Sequence, residues 1–383
     1  MKNESERKRK SEKGTGSQKR AAARRRRNTI FIMEIVLLLI LAVVLFFVSK
    51  LSKIEKTKLD MDKIEVNEDI SQESQKIMKG YQTIAMFGLD NRSNGNLSQG
   101  RSDVIMLANI NNDTKEVKLV SVYRDTYLDT GDGIFQKCNA AYAKGGPEQA
   151  ISMLNVNLDL NITDYVTVDF NSIIECVDLL GGVDMEITDD EASLMTGYIR
   201  ELNELTGNKA ENLTQGGTYT LNGVQACAYA RIRYGGGDDY RRTERQRTVL
   251  TAMVKKAQQS DLTTVNKLIN EVCGDIQTSF SNAELLALAS QVFQYSIGDT
   301  TGFPFTKTTK VLSKKTGDVV IPCDLSDNVK ELHIFLYEDS AYTVSDTVKQ
   351  NSEKIVSYTG RRTLKKEGSI SISEMLPIYI FTL

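Results

Sequence analysis

The segment Arg231–Gln246, RIRYGGGDDYRRTERQ, gathers Arg231, Arg233, Arg241, Arg242 and Arg245 around three glycines and two aspartates. Arg231 and Arg233 are two residues apart and share a face only on extended backbone. Arg242, Arg245 and Gln246 stand at i, i+3 and i+4 and share a face only on a helix. The pattern predicts a strand end, a glycine-rich loop and a helix start, with cations converging from both arms. Like charges held together are costly in an empty site and favourable around a polyanion, and the planar guanidinium fork matches phosphate oxygens. These residues point to a phosphate or pyrophosphate clamp. His333 is the only histidine, in an alternating run (ELHIFLYED) read as a strand with a structural role. A Ser-His-Asp or Cys-His nucleophile system or a His-rich zinc site would need that residue in place. The chemistry therefore falls to carboxylates, arginines and a hard metal ion.

A second polar set recurs where strands end. Thr83–Gly88 reads as a strand followed by Asp90. Arg101 and Asp103 precede a second strand, Val104–Ile110, and the turn Asn111–Thr114 leads to a third, Val117–Val122, followed by Arg124. A hairpin of the last two strands sets Asp103 and Arg124 at one sheet edge, and an antiparallel first strand brings Asp90 there as well.

Beyond this point a helix opens at Pro147 and runs to about Leu158, Tyr165–Val168 reads as a strand, and Asn171–Leu180 as a helix capped by Asn171. Val183–Ile187 follows as a strand, and this strand–helix–strand order predicts an α/β domain, three-layer α-β-α with a mixed central sheet. Residues 188–219 read as an irregular flap with a short helical stretch, Leu221–Ala230 as a helix feeding the arginine cluster, and Thr243–Gln259, Leu262–Val272 and Asn282–Tyr295 as helices. Past Thr300 the chain reads as β-rich, with strands at Val319–Ile321, Leu332–Tyr337 and Ile378–Leu383 and one helix near Val344–Val356. Cys138, Cys176, Cys227, Cys273 and Cys323 include no CxxC pair and predict no obligatory disulfide framework; Cys176 and Cys227 read as buried thiols.

Charge is distributed unevenly. Residues 1–27 hold 12 Lys/Arg against 3 Glu, whereas the remaining 36 basic and 47 acidic residues leave an acidic body. Ile30–Val48 is a 19-residue apolar run with Glu34 as its one charge, about 28 Å long as a helix and sufficient to span a bilayer. The basic flank places the N-terminus in the cytoplasm, and the missing A-x-A cleavage pattern predicts an uncleaved anchor. Beside a membrane span the basic run reads as a topology signal rather than a nucleic-acid site. The expected organisation is a basic cytoplasmic tail (1–28), a transmembrane helix (29–49), a stalk (50–80), a catalytic domain (81–300) and a β-rich extension (301–383).

An extracytoplasmic site with many arginines and strand-end aspartates suits Mg²⁺ and phosphoryl transfer, which asks mainly for positioning and charge stabilisation. There is no Walker-type GxxxxGK[ST] loop, and a lipid-linked pyrophosphate is the substrate that a membrane anchor keeps within reach. At these residues the sequence closely resembles the LytR-CpsA-Psr family of bacterial cell-envelope phosphotransferases. The matching segments are Gly88-Leu89-Asp90, Arg101-Ser102-Asp103, Ser121–Thr126, Asn139–Tyr142, Asp178–Val183, Arg231–Arg233 and Arg242–Gln246. The resemblance implies transfer of a glycopolymer, a teichoic acid or capsule, from a polyprenyl-pyrophosphate carrier to peptidoglycan in a Gram-positive envelope. By position, Asp90 and Asp103 would hold Mg²⁺. Arg101, Arg124, Arg231, Arg233, Arg242 and Gln246 would grip the pyrophosphate. Arg124, Arg231, Arg233 and Asp239 would be catalytic, with Asp239 orienting the arginines or assisting the acceptor hydroxyl. It also implies an apolar channel for the prenyl tail, for which Ile173, Val177 and Leu180 are candidates. Two positions depart from the family pattern: Tyr123 stands where a proline is usual, and Arg241 where a glycine is. Two other readings use the same residues, a lipid-pyrophosphate hydrolase and a non-catalytic binder of anionic polymers or envelope regulator; the Asp90/Asp103 pair favours an enzyme.

Overall fold

Burial at period two builds the centre of the fold. A computed structural model describes residues 55–56, 59–89, 97, 100–131, 133–233, 239–261, 264, 267–268 and 276–361. In chain order its elements begin with β1 (Glu55–Lys56), α1 (Gln72–Met78), β2 (Tyr81–Leu89), β3 (Ser102–Asn111), β4 (Glu116–Val122), β5 (Tyr127–Asp129) and β6 (Phe135–Lys137). There follow α2 (Ala140–Leu158), β7 (Asp164–Asp169), α3 (Phe170–Leu179), β8 (Val183–Ile187), α4 (Asp189–Thr206), β9 (Gly217–Leu221), α5 (Gly223–Arg231) and α6 (Asp239–Gln259). The remainder is β10 (Ile276–Thr278), α7 (Asn282–Ser290), β11 (Ser296–Phe303), β12 (Lys307–Ser313), β13 (Gly317–Pro322), α8 (Leu325–Tyr337) and α9 (Asp346–Thr359).

On β2–β4, Ala85, Phe87, Leu89, Ile105, Leu107, Val120 and Val122 face one side, and Ile84, Met106, Ala108, Ile110, Val117 and Leu119 face the other. Both sets are buried, which requires a covering layer on each face. Helices α2, α8 and α9 pack on the first face. Leu250 of α6 and Leu285 and Leu288 of α7 pack on the second. The sheet has seven strands in the order β1-β10-β7-β2-β3-β4-β11. It is antiparallel at β7–β10, β2–β3 and β3–β4 and parallel at β1–β10, β2–β7 and β4–β11. The three-layer α-β-α architecture with a mixed central sheet matches the expectation from sequence.

Several local expectations do not match. Val183–Ile187 leaves the central sheet and pairs with β9 in a separate hairpin, part of a satellite core formed with α3, α4 and α5. The presumed flap is mostly the regular helix α4, fixed by a capping box between Thr188 and Glu191. Helix α3 is capped by Asp169, whose carboxylate accepts from the Ser172 N–H, and Asn171 lies inside it. His333 is on a helix: α8 is amphipathic, with Leu332, His333 and Leu336 buried, and so short an apolar run does not separate the two periods. Past Phe303 the chain forms one β-hairpin followed by two helices. Its side chains Val319, Ile321, Leu325, Val329 and Ile355 join the main core, so this block is part of the body. The stretch read as a stalk also packs there from Leu59 onward, through Ile64, Ile70 and Met78. The proposed tail and span, Asp90, Cys273 and the terminal strand Ile378–Leu383 lie outside the described residues, as does most of Leu262–Val272.

Candidate active site

Sheet register brings the two polar sets together. Met106 pairs with Ser121 in the antiparallel β3–β4 ladder, and the same register carried to the strand ends sets Asp103 opposite Arg124. The Arg124 Nη1 donates to Asp103 Oδ1 at 2.8 Å. Leu89 pairs with Ser102 at the adjoining edge.

The second wall is the first turn of α6, and Asp239 is its centre. Its carboxylate lies 3.9 Å from Arg124 Nε, 3.4 Å from Arg233 Nη2 and 3.2 Å from Arg242 Nη1. Burial pushes the Asp239 carboxyl above its ordinary pKa, against the pull of Arg124 and Arg233. Arg242 has a 5% exposed side chain, yet among the described residues its Nε and Nη2 have no hydrogen-bond partner, and neither does Arg124 Nε. Buried guanidinium donors normally find acceptors, because an unmade bond to a charged group costs more than a neutral one. Unmet donors converging on one point define where an oxyanion would sit.

The predicted cluster divides here. Arg233, Arg242 and Arg124 meet at Asp239. Arg231 is held 3.2 Å from Glu201 and over the rings of Phe170 and Tyr198. Arg245 does not share the face of Arg242: its Nε binds Glu191 at 3.1 Å, joining α6 to the start of α4. Arg101 is exposed and forms no ion pair among the described residues. Sequence reading missed Asp125, which lies 3.8 Å from Arg124 Nε and 3.0 Å from Lys137 Nζ; its place directly after Arg124 was the available signal. Glu191 and Glu201 were also missed, because a flap gave no reason to place them near arginines.

Gln246, one turn beyond Arg242, lines an apolar cavity of about 120 Å³. Met86, Met106, Phe170, Ile173, Val249 and Met253 are among its lining residues, and Gln246 stands among them with Oε1 unpartnered. Gly88 also lines it, at a position where a Cβ would come within 2.9 Å of Val104. Of the three channel candidates, Ile173 lines this cavity, whereas Val177 and Leu180 belong to the satellite core. A volume near that of a cavity that takes up benzene admits only a short stretch of hydrocarbon. The three methionines in its wall are side chains suited to repacking around more.

A model of the LytR_cpsA_psr family matches residues 41–310. The chain belongs to the LytR_cpsA_psr family. Among curated members, it is 30% identical over 210 residues to TagU of Enterococcus faecalis, a polyisoprenyl-teichoic acid–peptidoglycan teichoic acid transferase, covering 54% of this chain and 64% of that one. It is 30% identical over 195 residues to TagV of Bacillus subtilis, which bears the same activity name, covering 50% and 48%. The chain thus spans less than two thirds of the length of these relatives. The solved structure of the LytR-CPS2A-psr family protein YwtF (TagT) of B. subtilis, with bound octaprenyl pyrophosphate lipid, has a TM-score of 0.50 at 22% identity, covering 68% of this chain and 92% of that one. That likeness establishes the fold.

The structure accounts for the Tyr123 departure from the family pattern. The Tyr123 N–H donates to the Phe303 carbonyl at 3.0 Å, a bond that proline cannot make. Its ring lies 4.6 Å from Tyr240 in an edge contact, and Gly302 leaves the space it needs, since a Cβ there would meet Tyr123 Oη at 2.2 Å. Lys307 Nζ sits 5.1 Å over the Tyr123 ring and 4.7 Å over Tyr240. The neighbours of Arg124 and Asp239 in sequence are thereby joined under a cation from β12. Arg241, the other departure, points its side chain to the exposed surface.

Proposed function

We propose that this chain is a membrane-anchored, extracytoplasmic phosphotransferase that moves a glycopolymer from a polyprenyl-pyrophosphate carrier to peptidoglycan, leaving a phosphodiester. The observation that carries the reading is the place of Gln246: it lines an apolar cavity one turn beyond Arg242, whose guanidinium has unmet donors beside Asp239. A pyrophosphate with a prenyl tail has that same division of polarity. TagU and TagV carry this activity in their names, and TagT is known with a prenyl pyrophosphate bound. The anchor is the apolar run within 29–49, with the basic tail inside and the body outside.

In the reaction, the acceptor hydroxyl oxygen attacks the phosphorus that bears the glycopolymer. The new P–O bond forms as the anhydride P–O bond breaks, and polyprenyl phosphate leaves. Arg124, Arg233 and Arg242 offset the charge that builds on the non-bridging and leaving oxygens. Asp239 holds these three forks in place, and its burial-raised pKa makes it the carboxylate suited to take the hydroxyl proton. Arg231, braced by Glu201, and the exposed Arg101 complete the grip from the rim. Asp103 fits a hard cation as one ligand: Arg124 occupies Oδ1, and Oδ2 has no partner among the described residues. With Asp90, Asp103 would hold Mg²⁺, which would neutralise pyrophosphate charge when bound.

The test mixes the full chain in detergent with a polyprenyl-pyrophosphate oligosaccharide, Mg²⁺ and uncrosslinked glycan. A glycan conjugate is expected, and Arg124→Ala should abolish it with folding retained. Sugar phosphate without conjugate would make the chain a hydrolase, and tight binding without turnover would make it a binder.

A further inference from the structure

Helix α6 carries two different faces. Gln246, Val249, Leu250 and Met253, spaced i, i+3, i+4 and i+7, line the apolar cavity. Arg247, Thr251, Lys255 and Gln259, each four residues apart, line a second cavity of about 410 Å³ between α6 and β11, which Thr248, Lys256 and Thr300 also line. The β4–β11 register shifts between Ile297 and Thr300, where β11 borders this space. None of the residues singled out from sequence lies in it.

Its charge is unbalanced. Arg247, Lys255 and Lys256 face one carboxylate, Asp184, which lies 3.4 Å from Lys256. Arg247 is only 8% exposed, and its Nε and Nη1 have no hydrogen-bond partner. Glu244 lies one turn away but forms no ion pair with it among the described residues. Burial lowers the Arg247 pKa, outweighing the opposing pull of Tyr123 and Glu244. A buried cation with unmet donors is unfavourable in the empty protein and favourable once an anion arrives to meet them.

We propose that this cavity is a second anion subsite, which takes phosphodiester groups of the glycopolymer itself. The assignment rests on the glycopolymer-transfer reading above. The functional groups recur along α6 at about 6 Å, the rise of four helical residues. A polymer with a charge at every repeat can use such a row, whereas one isolated phosphate uses a single rung. Lys255 stands about 20 Å along the helix axis from Arg242, so the row engages the chain beyond the bond being made. One helix thereby separates the lipid tail on one face from the polymer's anions on the other.

The experiment measures binding of short poly(glycerol phosphate), inorganic phosphate, polyglutamate and a short-chain prenyl pyrophosphate to the full chain by calorimetry in detergent. The variants are Lys255→Ser/Lys256→Ser and Thr251→Glu on exposed or half-exposed positions, which avoids emptying the buried Arg247 site, with thermal unfolding as the folding control. Each should weaken poly(glycerol phosphate) about tenfold or more, with the loss reduced at high salt, while prenyl pyrophosphate binding stays within about twofold. Arg124→Ala should show the reverse pattern. Unchanged polymer affinity in the α6 variants overturns the subsite. So does inorganic phosphate binding as tightly as polymer, or an equal loss toward polyglutamate, which would mark a general anion surface. Failure of prenyl pyrophosphate to bind the wild type would instead refute the donor reading, independently of the polymer result.

Discussion

A fully buried carboxylate and a half-buried one sit among polar partners in this protein, with opposite outcomes. Asp159, fully buried, accepts from the Ser345 N–H at 2.8 Å and from the side chains of Asn67 and Tyr342. His333 stacks on that tyrosine at 3.6 Å and places Nε2 3.0 Å from the Leu158 carbonyl. These groups come from three distant parts of the chain, and the network around the carboxylate is well supplied with donors. Around Asp239 the reverse holds: three arginines approach its carboxylate, and two of them, Arg124 and Arg242, have unmet donors among the described residues. A buried carboxylate supplied with donors fixes a fold, whereas arginines left with unmet donors await a ligand.

That contrast can be tested from its strongest consequence downward. Arg124→Ala or Arg242→Ala should cut transfer by about 10²–10³-fold, the cost of one oxyanion donor, with little change in the denaturation midpoint. Asp159→Ala should do the opposite. It should lose about 3 kcal/mol in chemical denaturation, because donors brought together for a carboxylate lose it, and keep its activity per folded molecule. If either variant moves both readouts equally, the two networks are not distinct in kind.

The pH dependence separates them further. Burial depresses the His333 pKa, so the folded protein keeps this ring neutral while the unfolded chain protonates below about pH 6.5. Stability present above that pH should fall as the solution is acidified, by up to about 1.4 kcal/mol per pH unit, until the folded pKa is reached. Denaturation of wild type and His333→Gln at neutral and acid pH should show the slope in the first and a flatter one in the second. Asp239 is shifted upward, so the acid limb of kcat/KM should lie above the ordinary carboxylate range and disappear in Asp239→Asn. The smallest change comes from the cavity: Met253→Trp fills it and should raise the donor KM about tenfold, with kcat nearly unchanged.

The parts of this molecule legible from sequence were those governed by local rules. Hairpin pattern and turn chemistry were enough to place Asp103 beside Arg124, and alternation was enough for β2–β4. The spacing of Arg242 and Gln246 located a helix face correctly. What could not be read depended on partners distant in the chain. Arg245 shares that spacing and is drawn off by Glu191, 54 residues away. Val183–Ile187 has a strand's pattern wherever it pairs, so its exclusion from the main sheet had no local signal. Leu332–Tyr337 is apolar enough to be buried in either regular form, and the Asp324 cap that begins its helix stands eight residues upstream.

The hydrogen bond from Tyr123 to Phe303 bears on where this protein can be cut. The match to the family ends at residue 310, inside β12 (Lys307–Ser313), and the motifs alone would suggest stopping near residue 300. Either truncation removes β13, α8 and α9 from the core, and the earlier one also removes the acceptor for the Tyr123 N–H. Beginning at residue 80 deletes Leu59, Ile64, Ile70 and Met78 from the same core. The smallest autonomous piece accordingly runs from before Leu59 to beyond Thr359, well outside the stretch in which sequence similarity is found at its C-terminal end.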